Sequence, residues 1–85
     1  QKRVIIFNLG LVPMVMFNPI LLSYKGPYET EEGCLSLTGV RTTTRYETIT
    51  VSYRDSKWQE RTITLTGFPA QICQHELDHL EGRII

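Results

Sequence analysis

The first two-thirds of the chain reads as strand and the last part as helix. Val4-Ile5-Ile6-Phe7 is a continuous apolar run, which predicts a buried strand. Leu9-Gly10 reads as a turn, and Met14-Val15-Met16-Phe17 as a second strand. Asn18-Pro19 signals a turn or bend, beyond which Ile20-Leu21-Leu22-Ser23 continues the strand. Lys25-Gly26-Pro27 predicts a loop packed by Tyr24 and Tyr28, and the acidic stretch 28–33 extends it. From Tyr46 the alternation is strict: Ile49, Val51 and Tyr53 share one face, Thr48, Thr50 and Ser52 the other. Asp55-Ser56-Lys57 reads as a turn with Trp58 at the tip. Arg61, Ile63 and Leu65 then alternate with Thr62, Thr64 and Thr66, completing an antiparallel hairpin.

Thr66-Gly67-Phe68-Pro69 ends the strands. Pro69 suits the first turn of a helix running to Glu81, and Gly82 suits its stop. At about 100° per residue, Ala70, Cys73, Leu77 and Leu80 form an apolar stripe for the core. Gln71, Gln74, Asp78 and Glu81 form a polar face, and Ile72, His75, Glu76 and His79 a third. The expected class is therefore α+β, antiparallel strands packed around one C-terminal helix.

Composition narrows the function. Eighty-five residues, 41% of them apolar, make one small domain and argue against wholesale disorder. Nine Lys/Arg balance nine Asp/Glu, which offers no general attraction to nucleic acid or an anionic membrane. No apolar stretch reaches the roughly 18 residues of a membrane span. Two cysteines are too few for a disulfide scaffold. The chain opens with Gln1 instead of Met, so a processed or incomplete piece of a longer protein is expected.

The chemistry is concentrated in Gln74-His75-Glu76-Leu77-Asp78-His79. On a helix, His75 and His79 stand one turn apart on one face, where their imidazoles can converge on a metal ion. Glu76 lies close enough to take a proton from an attacking water. The bare five-residue pattern is loose, because three fixed letters also arise by chance. A third ligand must come from elsewhere, and Cys34 is the best candidate: a thiolate with two imidazoles leaves one coordination position open. Cys73 belongs to the core stripe and reads as a buried small hydrophobe.

Glu32-Gly33-Cys34-Leu35-Ser36, followed about forty residues later by Gln74-His75-Glu76-Leu77-Asp78-His79-Leu80-Glu81-Gly82, resembles the peptide deformylase family. That family carries E-G-C-L-S and Q-H-E-x-D-H-L-x-G motifs, and both stand here uninterrupted. Arg3-Val4-Ile5-Ile6 and Asn18-Pro19 also resemble family segments, so the likeness covers essentially all of residues 1–85 as one domain whose N-terminal part is missing. It implies a metal-binding helix and a metal held by Cys34, His75 and His79, natively Fe²⁺, with Zn²⁺, Ni²⁺ or Co²⁺ able to replace it. Glu76 would be the catalytic acid/base, and the Leu35 backbone N–H an oxyanion donor. The reaction would remove the N-formyl group from formyl-methionyl nascent chains and release formate.

The resemblance further implies substrate contacts from Glu32, Gly33 and Arg41, with Phe68 and Ile72 lining the pocket for the methionine side chain. The partner would be a formylated peptide N-terminus, met at the ribosome. The setting would be the bacterial cytoplasm, or an organelle if a transit segment precedes. The sequence departs from the family pattern in three places. The glycine-rich G-x-G-x-A-A-x-Q motif, whose glutamine is the second oxyanion donor, is absent, and losing such a donor costs on the order of 10²–10³ in rate. Thr38 replaces a usual proline. Gln71 replaces an often apolar residue, which bears on methionine preference; read plainly, it is an exposed helix residue. Arg45 and Asp78 read as members of an internal ion pair. The competing readings are a catalytically weak deformylase-like protein that binds metal or peptide, and a general metalloprotease using His-Glu-x-x-His.

Overall fold

The computed structural model describes residues 3–33 and 39–82. Four strands form one antiparallel sheet in the order β1-β2-β3-β4: β1 Val4–Leu9, β2 Val12–Gly33, β3 Val40–Arg54 and β4 Glu60–Thr66. Helix α1, Gly67–Leu80, follows β4 without a loop and packs on one face of the sheet. The expected α+β arrangement holds.

Alternation decides which side chains are buried. Ile5 and Phe7 of β1, Met16 of β2, Ile49 and Val51 of β3 and Leu65 of β4 point to the helix-covered face. Ala70 and Cys73 close the core from α1, with Leu77 and Leu80 packed beside them. Burying such side chains contributes about 25 cal/mol per Å² of apolar area removed from water. The run Val4–Phe7 is not buried on both faces. β1 is an edge strand, and Ile6 is 62% exposed among the described residues.

The second departure is larger. Lys25-Gly26-Pro27 and the acidic stretch after it are not a loop. They are the outer half of β2, paired with β3 from Lys25↔Thr48 to Gly33↔Val40. Gly26 has φ +73° and lies so close to Glu47 that an added Cβ would come within 2.9 Å of the Glu47 Cβ. A residue usually read as a turn is therefore what lets the two backbones approach. Pro27 is tolerated because β1 pairs β2 only from Val12 to Phe17, so this stretch has no β1 neighbour on its other edge. Asn18-Pro19 does bend the strand: Asn18 has φ +53°, and the register shifts between Phe17 and Ile20.

Gly67, with φ +65°, turns the end of β4 directly into α1. That corner sets the direction of the helix and so the position of its histidines.

Candidate metal centre

Four residues of α1 face two strands of the sheet. His75 donates or accepts through Nδ1 at 2.8 Å from Glu32 Oε1. The His79 ring lies edge-on to it, with centroids 4.3 Å apart. The two imidazoles therefore stand together as the helical spacing predicts. With Nδ1 of His75 engaged by Glu32, Nε2 is the ring nitrogen left for a metal. A carboxylate behind a ligand histidine fixes its tautomer and orientation. Glu76 lies beside His75 on the same helix and is half-buried.

Glu32 is the centre of the arrangement. Its side chain is 8% exposed and accepts four bonds. Arg45 donates from Nε to Oε2 at 2.8 Å and from Nη2 to Oε1 at 2.7 Å; Gln71 Nε2 donates to Oε2 at 3.0 Å; His75 completes the set. Arg45 also reaches Asp78 Oδ2 at 2.6 Å through Nη1. The Arg45 fork is the main reason the Glu32 carboxyl is held down to about 2; burial opposes it, and His75 and Gln71 add to the lowering. Burial works against the Arg45 charge, but its bonds to Glu32 and Asp78 win and raise its pKa. The expected internal ion pair is thus a largely buried triad, Glu32–Arg45–Asp78, which borders His75.

The polar helix face is not a solvated one. Gln74 is 6% exposed. Its Oε1 accepts from the Tyr46 backbone N–H at 2.9 Å, and its Nε2 donates to the Tyr46 carbonyl at 2.9 Å and to the Ala70 carbonyl. β4 stops pairing at Thr48↔Thr66, and two residues further along β3 the Gln74 carboxamide makes the two bonds a next strand residue would make. Gln71 and Asp78 also turn toward the sheet. These contacts were hidden in the sequence because the polar spacing on the helix suits solvent and sheet equally.

Cys34 and Leu35, the predicted third ligand and backbone donor, lie outside the described residues. Gly33 ends β2 immediately before Cys34, opposite Val40. Among the described residues, no three His, Cys, Asp or Glu side chains are grouped to hold a metal. Cys73 does not offer an alternative: burial, with Glu76 nearby, pushes its thiol up to about 12, so it stays protonated in the core. Phe68 and Ile72, with Glu32, Gln71 and His75, line a cavity of about 170 Å³. Arg41 is exposed on β3 opposite Glu32 and does not line that cavity. Tyr28, whose phenol is pushed up first by burial and then by Glu47 and Glu32, stays a donor and lies 3.4 Å from Gln71 Oε1.

The polypeptide deformylase family model matches residues 1–85. The chain belongs to that family. It is 51% identical over 85 residues to the peptide deformylase of Clostridium beijerinckii, an overlap that takes in 100% of this chain and 62% of that protein. Against the peptide deformylase of Chlorobium phaeobacteroides it is 47% identical over 73 residues, covering 85% of this chain and 39% of the relative. Among solved deformylases, that of Arabidopsis thaliana bound to an inhibitor superposes with a TM-score of 0.85 at 32% identity, covering 95% of this chain and 49% of that one. The deformylase of Synechococcus elongatus in complex with actinonin gives 0.83 at 35% identity, covering 94% and 45%. The chain spans about half the length of most of these relatives. Among the described residues, no helix is long and apolar enough to cross a membrane.

Proposed function

We propose that the intact protein is a metal-dependent hydrolase that removes the N-formyl group from N-formylmethionyl polypeptides and releases formate. The bond between Glu32 and His75 carries this reading. It ties the end of β2, two residues before Cys34, to the helix that bears His75 and His79. Residues 1–85 then form the metal-binding part of a single domain.

Cys34, His75 and His79 would hold the ion. The donor set fits: a thiolate and two imidazoles suit a soft or borderline divalent cation, and Glu32 fixes the His75 ring. We assign Fe²⁺ as the native ion, with Zn²⁺, Ni²⁺ or Co²⁺ as replacements. When bound, the cation supplies Lewis acidity that makes hydroxide available near neutral pH. Glu76 accepts the proton of the attacking water and passes it to the amine nitrogen as the bond to the formyl carbon breaks. The Leu35 backbone N–H donates to the oxygen on which negative charge develops. Glu32, Phe68 and Ile72 border the side-chain cavity, while Gly33 and Arg41 contact the peptide along the strand. The substrate is the formylated N-terminus of a nascent chain at the ribosome, in the bacterial cytoplasm or a corresponding organelle.

The test is formate release from a formyl-methionyl peptide by the metal-loaded intact protein. Turnover should vanish in Glu76→Ala while metal is retained. A wild-type protein that holds metal and releases no formate would instead be a binding protein of the same fold.

A further inference from the structure

Gln74 immediately precedes His75 and is buried. Its carboxamide is engaged at both ends. Oε1 accepts from the Tyr46 N–H at 2.9 Å, and Nε2 donates to the Tyr46 carbonyl at 2.9 Å and to the Ala70 carbonyl at 3.0 Å. Across the ladder Tyr46 faces Pro27, which has no N–H to offer its carbonyl. On the other side β4 has already ended at Thr66, opposite Thr48. Gln74 therefore supplies Tyr46 with what neither neighbouring strand does.

Gln71, Gln74 and Asp78 all tie α1 to the sheet, but they differ in what they grip. Gln71 reaches the side chains of Glu32 and Tyr28, and Asp78 reaches that of Arg45. Such partners can swing with the helix. Gln74 grips main chain, and the main chain of β3 is held in register by β2. The same ladder runs on to Gly33↔Val40, one residue before Cys34. Gln74 and His75 stand about 100° apart around the helix, so a roll of α1 that breaks the Tyr46 bonds carries His75 and His79 sideways. A misplacement of about 1 Å can cost on the order of 10² in rate.

We propose that Gln74 is a positioning residue for the metal centre: by gripping the Tyr46 main chain it fixes the roll and height of α1, and so the place of His75 and His79 relative to the strand that leads to Cys34. This rests on the metal reading above and adds to it a residue that touches neither metal nor substrate.

The experiment loads Co²⁺, whose visible absorption reports ligand geometry, into the intact protein and its variants. Gln74→Met keeps the bulk and removes the bonds to Tyr46. Gln74→Asn keeps the amide and shortens its reach. Both should bind Co²⁺ about tenfold more weakly in chelator competition and shift its absorption bands. Both should lower kcat for formate release by about 10–100-fold and leave KM within about threefold. Ile5→Val thins the core at β1 without touching these bonds, and should lower the urea midpoint while keeping the wild-type Co²⁺ spectrum and affinity. The coupling is reciprocal, so in the wild type metal should slow exchange of the Tyr46 amide by about tenfold and leave the Lys57 amide of the β3–β4 turn unchanged. That measurement decides the matter without a variant if both Gln74 substitutions prevent folding.

A Gln74→Met protein with wild-type affinity and spectrum would overturn the proposal, because packing alone would then place the helix. An equal change in Ile5→Val would overturn it too, as would Tyr46 exchange indifferent to metal. A wild type that binds Co²⁺ and releases no formate removes the deformylase reading alone; affinity, spectrum and exchange still judge Gln74.

Discussion

Two carboxylates gather donors in this chain, Glu32 between sheet and helix and Asp55 at the turn joining β3 to β4. Asp55 accepts from the backbone N–H groups of Lys57 and Gln59, both at 2.9 Å, and from Arg61 Nε at 3.0 Å. Glu32 accepts from Arg45, Gln71 and His75. The lists look alike, but every donor to Asp55 lies within six residues of it, while those to Glu32 lie 13, 39 and 43 residues away. Asp55 closes a hairpin that local chemistry already favours. Glu32 can be satisfied only when strand, strand and helix have come together, so its network reports the tertiary structure. Water also screens the Asp55 ion pair, whose Arg61 is more than half exposed, and is excluded from the Arg45 pair.

The sharpest way to break this contrast is to remove the cation from each network. Arg45→Met should destabilise the intact protein by about 3–5 kcal/mol, because it strands two carboxylates in a buried site. Against a typical total of about 5–15 kcal/mol that is a large fraction. Arg61→Met should shift the urea midpoint only slightly. If the two substitutions shift it equally, burial is not what separates the networks.

The next effect is on metal. Glu32→Gln removes the charge behind His75 and should weaken metal affinity by about 10–100-fold, measured by chelator competition. Asp55→Asn should leave metal affinity at the wild-type value. A third substitution separates charge from docking in the helix–sheet contact. Gln74→Ala leaves the Tyr46 N–H and carbonyl without their partner and should cost about 1–3 kcal/mol in chemical denaturation. A cost near zero would mean that the Gln74 bonds add nothing to the apolar packing and the Arg45–Asp78 pair that hold α1 to β3.

The same contrast explains what could be read in advance. His75 and His79 were legible because helical spacing is a local property, and Ile49, Val51 and Tyr53 because strand alternation is. The Asp55 turn was legible for the same reason. The outer half of β2 was not, because Gly26 and Pro27 are turn residues everywhere except on a strand that needs a close approach and has a spare edge. Nor could Gln71 and Gln74 be assigned to the sheet: a glutamine on a helix carries no mark of whether water or a strand edge will meet it. Glu32 appeared only through its motif, as a substrate contact. Its bond to His75 needed the strand register and the helix direction together. Cys34 is the remaining gap, since its motif points to the metal and its position lies outside the described residues.

The smallest expected effect is a pH dependence, and it distinguishes the two carboxylates by window. Both are depressed in the folded protein: Glu32 to about 2 from 4.5, through Arg45 first, and Asp55 below 3.8, through Gln59 first and then Arg61. A carboxyl whose folded pKa is lowered contributes stability that is fully present above its unfolded pKa and lost as the pH falls through the folded one. Asp55→Asn should therefore lower the thermal midpoint slightly at pH 6, and this difference should shrink once the pH drops below the ordinary aspartate range. The corresponding difference for Glu32→Gln should be larger at pH 6 and should persist further into acid, closing only toward pH 2. Thermal midpoints of the three proteins between pH 6 and pH 2.5 check both windows. If the Asp55 difference outlasted the Glu32 difference on acidification, the exposed turn would hold its charge more firmly than the buried triad. The bidentate Arg45 would then no longer explain the depressed Glu32 carboxyl.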